Sequence, residues 1–294
     1  MSQKSIQKII TPPPTHWVGD GFKVHNFIPG AVSWEQISPF VMLDYNAKVE
    51  FEPSHTPRGV GVHPHRGFET VTIAYQGKVA HHDSAGNSGI IGEGEVQWMT
   101  AGSGILHKEY HEQEFTKRGG VFQMVQLWVN LPAKDKMTEP KYQALTKDQI
   151  VKIELPQNQG QIQLIAGEFQ NQEESFKGPA FTFSPVNLFN LRLNPEQKFH
   201  FDQPSNYNTA VLVIDGNTKI NGQDVKENEL VLFAGDGTEI EIEAAADGVT
   251  VLVLSGEPLN EQIAAYGPFI MNTKQQILEA FEDFQAGKFG ELAG

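Results

Sequence analysis

Two short stretches of the chain place metal-binding side chains two positions apart. The stretch HPHRGFE carries His63 and His65, and the stretch ILHKEYHE carries His107 and Glu109. In a β-strand, residues i and i+2 point to the same face, so each pair presents both side chains on one side of its strand. If the two strands face each other, three imidazoles and one carboxylate converge on a single point.

A donor set of three nitrogens and one oxygen, without sulfur, suits a divalent first-row ion such as Fe(II), Mn(II), Co(II), Ni(II), Cu(II) or Zn(II). Four protein ligands leave two positions of an octahedral ion open, which a chelating substrate, or a substrate together with O₂, requires. A single H-x-H pair is equally compatible with ordinary surface or packed histidines. Here, however, six of the ten histidines lie between His63 and His111, a clustering that is hard to ascribe to packing.

Other side chains near these strands are candidates for the surroundings of the ion. His81 and His82 alternate on a strand, so one of them faces the cavity, and we expect His81 to touch the ligands or the substrate. We expect His111 to lie in solvent at the end of its strand. Aromatic and methionine side chains at alternating spacing more often belong to the hydrophobic core. Five such residues could instead line a substrate pocket, namely Phe40, Met42, Tyr45, Trp98 and Met99.

Composition restricts the class of protein. A chain of 294 residues predicts two domains, and the absence of cysteine excludes thiolate sites and fits a reducing compartment. The net charge of −14, with 36 acidic against 22 basic residues, disfavours direct binding to nucleic acid. No segment has the apolar length of a membrane span or of a signal sequence. We therefore expect a cytoplasmic protein that binds neither nucleic acid nor membrane.

Short alternating segments separated by Gly, Asn and Asp predict an all-β protein. The stretches GEVQWMTAG and NELVLFAG each follow a strand-turn-strand segment, which indicates a duplicated β-barrel. The polar stretch 130–149 reads as the connection. Near the end, NTKQQILEAFEDFQAG predicts a helix that begins after Thr273, stops at Gly287 and packs back onto a barrel.

Long motifs of the chain resemble the pirin family, a group in the cupin superfamily built from two cupin barrels. The likeness lies in HPHRGFETVT, in DSAGNSGIIGEGEVQWMTAGSGILHKE and in GPFIMNTKQQILEAFEDFQAGKFG, and it extends over nearly the whole chain. The resemblance implies an all-β bicupin, with jelly-roll barrels at 1–135 (metal-binding) and 136–260 (without metal) and a helix and tail at 261–294.

Carried over residue by residue, the resemblance implies that His63, His65, His107 and Glu109 bind one metal ion in the N-terminal barrel. The metal of the family is usually iron. Glu69 occupies the place of a ligand in many cupins, but in pirin-like proteins it would lie near the site without ligating. The second barrel offers only His200 before its hairpin and has TEIEIEA where the first has ILHKE, so we expect it to hold no metal.

Three functions are compatible with this resemblance. Some family members are quercetin 2,3-dioxygenases, which open a flavonol (polyphenol) ring with O₂ and release carbon monoxide; Glu109 would then be a ligand alone or also the base that accepts the substrate proton. Other members are described as metal-dependent regulators that bind a transcription factor or a metabolic enzyme. A third possibility is a purely structural metal. We favour the dioxygenase, with Fe(II) as cofactor, and expect a monomer.

Overall fold

The computed structural model describes residues 2–171 and 174–293, which divide into two compact units. The first barrel comprises Pro14–Pro29, Phe40–Lys147 and the residues from Leu259 onward. The second barrel comprises the residues up to Pro13, Gly30–Pro39 and Asp148–Pro258.

The strands in chain order are β1 (Ile6–Ile10), β2 (Thr15–Val18), β3 (Phe22–Ile28), β4 (Phe40–Phe51), β5 (Gly59–His65), β6 (Phe68–Gln76), β7 (Val79–Asp83), β8 (Ser88–Ile91), β9 (Val96–Thr100), β10 (Ile105–His111), β11 (Gly120–Asn130), β12 (Lys141–Leu145), β13 (Val151–Glu154), β14 (Gly160–Ala166), β15 (Glu168–Asn171), β16 (Glu174–Lys177), β17 (Val186–Leu193), β18 (Lys198–Asp202), β19 (Asn208–Asp215), β20 (Thr218–Ile220), β21 (Gln223–Val225), β22 (Leu230–Phe233), β23 (Glu239–Ala244), β24 (Val249–Gly256), β25 (Ala264–Tyr266) and β26 (Phe269–Met271). The α-helices are α1 (Trp34–Ile37), α2 (Gln113–Arg118) and α3 (Lys274–Gln285).

The two barrels have the same sheet plan, which confirms the predicted all-β architecture. The first has a seven-stranded sheet in the order β12-β9-β6-β11-β4-β3-β2 and a four-stranded sheet in the order β5-β10-β7-β8. The second has the orders β1-β22-β19-β24-β17-β14-β13 and β18-β23-β20-β21. Position by position, β9 corresponds to β22 and β10 to β23. Strands β9 and β22 come from the two stretches, GEVQWMTAG and NELVLFAG, whose similarity suggested the duplication.

One of the two edge strands of each seven-stranded sheet comes from a part of the chain that the sequence assigned elsewhere. Strand β1 pairs with β22 of the second barrel, although residues 1–135 were expected to form the first. Strand β12 lies in the stretch that reads as a connection, yet it pairs with β9 of the first barrel. An edge strand needs only one partner, so its own alternation of polar and apolar residues does not reveal which sheet it joins.

Helix α3 follows its sequence signals. Its N-cap is Thr273, whose side-chain hydroxyl accepts from the backbone N–H of Gln276. In turn, the side-chain oxygen of Gln276 accepts from the backbone N–H of Thr273, which completes a capping box. Ile277 and Ala280 face a small apolar cluster that includes Phe269 and Phe289 of the first barrel. None of the helices in the described ranges combines the length and the apolar character that a bilayer crossing requires.

Candidate metal centre

Strand pairing in the first barrel brings the two predicted pairs of side chains together. Strand β10 pairs antiparallel with β5, and His107 lies directly opposite His63. The register then shifts, so that Glu109 lies opposite Val60 on one side and opposite His81 of β7 on the other. Directly opposed residues share a face of the sheet, so the pairing itself gathers these side chains.

The three histidines form a compact group. The ring centroids are 4.2 Å apart for His63 and His107, 4.7 Å for His65 and His107, and 4.8 Å for His63 and His65. One nitrogen from each ring lies within 4.8 Å of the others. His107 and Glu109 also form a second such group with His81, again within 4.8 Å. His107 belongs to both groups and is therefore the centre of the arrangement.

Hydrogen bonds orient two of the rings toward a common point. Nδ1 of His63 lies 2.8 Å from the carbonyl oxygen of Gly61, and Nδ1 of His65 lies 3.4 Å from that of Pro268. A carbonyl oxygen only accepts, so Nδ1 carries the proton in each ring and Nε2 keeps a free lone pair. Such a contact from the remote nitrogen is typical of metal-binding histidines.

His107 is the strongest evidence that the group fits a metal ion. Its side chain is 0% exposed, and both ring nitrogens lack a hydrogen-bond partner. Buried polar atoms without a partner are rare in folded proteins and call for an explanation such as an ion. Burial, followed by the neighbouring histidines, also holds the pKa of His65 and of His107 well below its usual range. Both rings are therefore neutral near pH 7, the form that binds metal.

Amide side chains hold the carboxylate of Glu109. Gln97 donates to Oε1 and Gln126 donates to Oε2, each at 3.0 Å. The hydroxyl of Thr72 lies 3.0 Å from Oε1 and 2.6 Å from Oε1 of Gln126, and its single proton serves one of them. A carboxylate offers about four lone pairs. The two amides occupy two of these, so room remains for a metal ion.

His81 lies beside this group, as expected from its alternation with His82. Nε2 of His81 is 3.2 Å from Oδ2 of Asp83, while its buried Nδ1 has no partner. Tyr142 stacks on the His81 ring with the planes 12° apart and the centroids 5.0 Å apart. The Tyr142 hydroxyl is 3.3 Å from Oε1 of Gln97 and donates to it. Burial, with the charges of Asp83 and Glu109, raises the pKa of Tyr142 to about 12.

Aromatic side chains border the group on the side of His65. Phe68 and Trp128 stack with centroids 4.1 Å apart, and they lie 5.0 Å and 5.1 Å from the His65 ring. Met42 is directly opposite Trp128 on β4 and so shares its face. Met99 lies opposite Thr70 on β6, on the same face as Thr72 and Gln97. Of the predicted pocket residues, Met42 and Met99 are thus on the side of the sheet that faces the histidines.

The structure does not bring Glu69, Trp98 and Phe40 to this side. Thr72 and Gln97 reach Glu109, so Glu69 and Trp98, at odd spacing from them, point to the other face of the sheet. Phe40 lies opposite Val129 beyond a register shift and shares that other face. Glu69 accepts from Thr100 at 2.8 Å, and burial raises its pKa to about 7.

The expectation that His111 lies in solvent is wrong. Its side chain is 1% exposed, and its Nε2 is 2.9 Å from the carbonyl oxygen of Gly21. Four phenylalanine rings surround it with centroid distances of 4.5–5.7 Å, namely Phe22, Phe51, Phe115 and Phe122. The chain continues into helix α2, which covers the strand end.

Several residues around Glu109 were not found from the sequence. Gln97, Gln126 and Thr72 are polar residues at buried positions of largely buried strands, in VQWMT, FQMVQLWVN and FETVTIAYQ. A buried polar side chain needs a hydrogen-bond partner. A polar residue at an inward-facing position of such a strand could therefore have indicated that it contacts another polar group of the site.

The corresponding positions of the second barrel are apolar. In the β18–β23 pair, Phe201 lies opposite Ile240 and Phe199 opposite Ile242, and these side chains join the core of that barrel. His200 alternates outward and lies 3.2 Å from Glu241. A cavity of about 1100 Å³ in this barrel is bordered by Phe169, Asn187, Gln203 and Tyr207, and none of the predicted site residues lines it.

Two family models match the chain. The model described as "Pirin" matches residues 21–129, and the model described as "Pirin C-terminal cupin domain" matches residues 188–290. The first match contains all four predicted ligands. The second contains the apolar β18–β23 pair and helix α3.

Full-length relatives support the same family. A Pseudomonas aeruginosa protein named "Putative quercetin 2,3-dioxygenase" is 47% identical over 274 residues, which are 93% of this chain and 94% of that protein. A "Pirin-like protein" of Solanum lycopersicum is 37% identical over 276 residues, covering 92% and 88% of the two chains. The crystal structure of a quercetin 2,3-dioxygenase from Acinetobacter baumannii superposes with a TM-score of 0.92 at 44% identity, covering 99% of this chain and 100% of that one. The chain therefore belongs to the pirin family and is a bicupin.

Proposed function

We propose that this pirin is a metal-dependent dioxygenase that opens the ring of a flavonol such as quercetin with O₂. Relatives with the names given above support the reaction class. The observation that carries the proposal is the environment of His107. Its imidazole is fully buried, neither ring nitrogen has a hydrogen-bond partner, and its ring packs against those of His63 and His65. The proposal places the reaction in the cytoplasm, in keeping with a chain without cysteine.

In this proposal His63, His65, His107 and Glu109 hold one divalent ion, with Fe(II) as the physiological metal. When bound, the ion supplies a Lewis-acidic centre at which the 3-hydroxyl of the flavonol and O₂ meet. The protein contributes neutral imidazoles, because burial keeps the pKa of His65 and His107 low. It also contributes a fixed carboxylate, because Gln97 and Gln126 hold Glu109.

Glu109 acts in this proposal as a ligand rather than as the base. The two amide donors and the bound ion would together take three of the four lone pairs of the carboxylate and hold it in one orientation. His81 offers a better-placed acceptor for a substrate hydroxyl, because Asp83 holds Nε2 and leaves Nδ1 free beside the ligands. Trp128, which is partly exposed and stacks on the buried Phe68, provides aromatic surface next to His65 for a planar substrate.

The test is quercetin loss together with O₂ uptake by protein reconstituted separately with Fe(II), Ni(II) and Mn(II). We expect turnover by the wild type, and at least about 100-fold loss of kcat in His63→Ala and Glu109→Gln. His82→Ala is the matched control, since His82 alternates away from the group and stacks on Tyr110. Normal activity of the control shows that removing a histidine from this sheet is harmless in itself.

Two outcomes would contradict the proposal and favour the other functions of the family. A protein that binds metal at these residues, turns over no flavonol and captures a partner only when loaded would be a metal-dependent regulator. A protein in which metal raises the melting temperature and changes nothing else would hold a structural ion.

A further inference from the structure

The turn that follows the H-x-H pair is held by the C-terminal part of the chain. The backbone N–H of Ile270 donates to the carbonyl oxygen of Arg66 at 3.1 Å, and the Pro268 carbonyl faces Nδ1 of His65 at 3.4 Å. Gly67 approaches this strand so closely that a Cβ there would lie 2.0 Å from the Ile270 oxygen. Strand β26 therefore fixes the backbone on which His65 is carried.

The side chain of Arg66 is anchored at three points, two of them in the same C-terminal segment. Its Nε donates to the carbonyl oxygen of Ser103 at 2.7 Å, and its Nη2 forms a 2.9 Å ion pair with Asp283 of helix α3. The guanidinium carbon lies 4.7 Å from the centroid of the Phe289 ring. The Arg66 side chain is 5% exposed and that of Asp283 is 24% exposed, so the ion pair is partly shielded from water.

A buried lysine completes the attachment. Nζ of Lys136 donates to the carbonyl oxygens of Gly67 and Ile270 at 2.8 Å and 2.9 Å, and to Oδ1 of Asn130 at 2.7 Å. It thus joins the turn after His65 directly to β26. The predicted ligand His65 and the two residues after it are therefore each contacted by other parts of the chain, through strand β26, the ion pair with Asp283 and the side chain of Lys136.

We propose that the segment from β25 to Phe289 is a positioning clamp for the metal centre, which sets the orientation of His65 through Pro268 and Arg66. This inference rests on the proposed metal site. Groups that contact a metal ligand on the side away from the ion orient that ligand, and their removal typically weakens metal binding by about 10- to 100-fold. Asp283 is a positioning residue in this account, since it acts through Arg66 and does not touch the ion.

The test compares Asp283→Ala with Glu279→Ala. Both variants remove one carboxylate from α3, but Glu279 is exposed and accepts from Gln275 at the surface. Ni(II) binding is measured by titration calorimetry well below the melting temperature, and the stability of the metal-free forms is measured separately. We expect about 10-fold weaker Ni(II) binding in Asp283→Ala and unchanged binding in Glu279→Ala.

A second readout does not depend on metal. Long-range ¹H–¹⁵N spectra of metal-free protein report which ring nitrogen of His65 carries the proton. We expect the Nδ1–H form in the wild type and a mixture of forms in Asp283→Ala. Asp283→Glu restores the carboxylate and should recover most of the affinity. If Asp283→Ala does not fold, Phe289→Leu, which removes the ring below Arg66 and keeps an apolar side chain, serves in its place.

Three outcomes are decisive. Weaker Ni(II) binding together with an altered His65 ring supports the clamp. If the variant is less stable than the wild type without metal but binds Ni(II) as tightly, the clamp is overturned, and the segment has only a structural role. Wild-type protein that binds no Ni(II) would overturn the proposed metal site, and the clamp with it.

Discussion

Gln97 donates a hydrogen bond of 3.0 Å from Nε2 to Oε1 of Glu109. The orientation of the Gln97 amide is itself fixed, because the Tyr142 hydroxyl donates to its oxygen. Strand β12, which carries Tyr142, thus reaches Glu109 through the Gln97 amide, and it reaches His81 by ring stacking. This relationship makes Glu109 the most constrained of the four predicted ligands.

Replacing Gln97 by Leu should weaken metal binding. The carboxylate of Glu109 would lose one of its two amide donors and gain freedom to rotate away from the ion. We expect about 10-fold lower affinity for Ni(II) by calorimetry. Gln76→Leu, at the far end of β6, is the control. Equal affinities in all three proteins would show that Gln97 does not position the ligand.

Acid should destabilise the protein through His111. Burial lowers the pKa of His111 from 6.5 to about 4, with the Gly21 hydrogen bond opposing the effect. Between pH 6.5 and about 4, His111 is protonated in the unfolded chain but not in the folded chain. The contribution of the neutral His111 to the free energy of unfolding is therefore fully present above pH 6.5 and is lost as the pH falls toward about 4. The loss amounts to about 3 kcal/mol. Urea unfolding of metal-free protein should show a steeper pH dependence for the wild type than for His111→Phe, and parallel profiles would contradict this account.

Lys136→Met should be strongly destabilising. The substitution leaves the three oxygen atoms that Lys136 contacts buried without a donor, which costs about 2–5 kcal/mol of the free energy of unfolding. Lys134→Met is the matched control, because Lys134 lies on the same turn and is exposed. Chemical denaturation measures both. A loss below about 1 kcal/mol for Lys136→Met would show that water reaches these oxygens.

Binding of metal should stabilise the folded chain. At a free Ni(II) concentration about 100 times Kd, mass action predicts a gain of about 2.7 kcal/mol. The gain should vanish in His107→Ala and persist in His200→Ala, because His200 points outward from the second barrel. Thermal melting with and without Ni(II) measures it. A gain that survives His107→Ala would place the ion elsewhere.

The sequence predicted those features that depend on local spacing. The i, i+2 pattern placed His63 beside His65, and the capping signals located α3. The partner of an edge strand is set by tertiary packing, so β1 and β12 could not be assigned to their sheets. The environment of His111 was missed for the same reason, since its four aromatic neighbours are brought together only by the fold.

The surroundings of the ligands were only partly predictable. Alternation placed His81 on the side of His107, but it could not decide which face of β9 points inward. Gln97 faces Glu109, and Trp98, which the sequence offered as a possible pocket residue, faces the other way. The deciding observation is the hydrogen bond between Gln97 and Glu109, which requires three-dimensional structure.

Anomalous scattering from crystals of Ni(II)-loaded protein tests the central claim most directly. We expect one peak per chain in the first barrel, about 2.0–2.2 Å from a nitrogen of each of His63, His65 and His107 and from an oxygen of Glu109. A peak at another position, or fully loaded protein with none between these side chains, would contradict it.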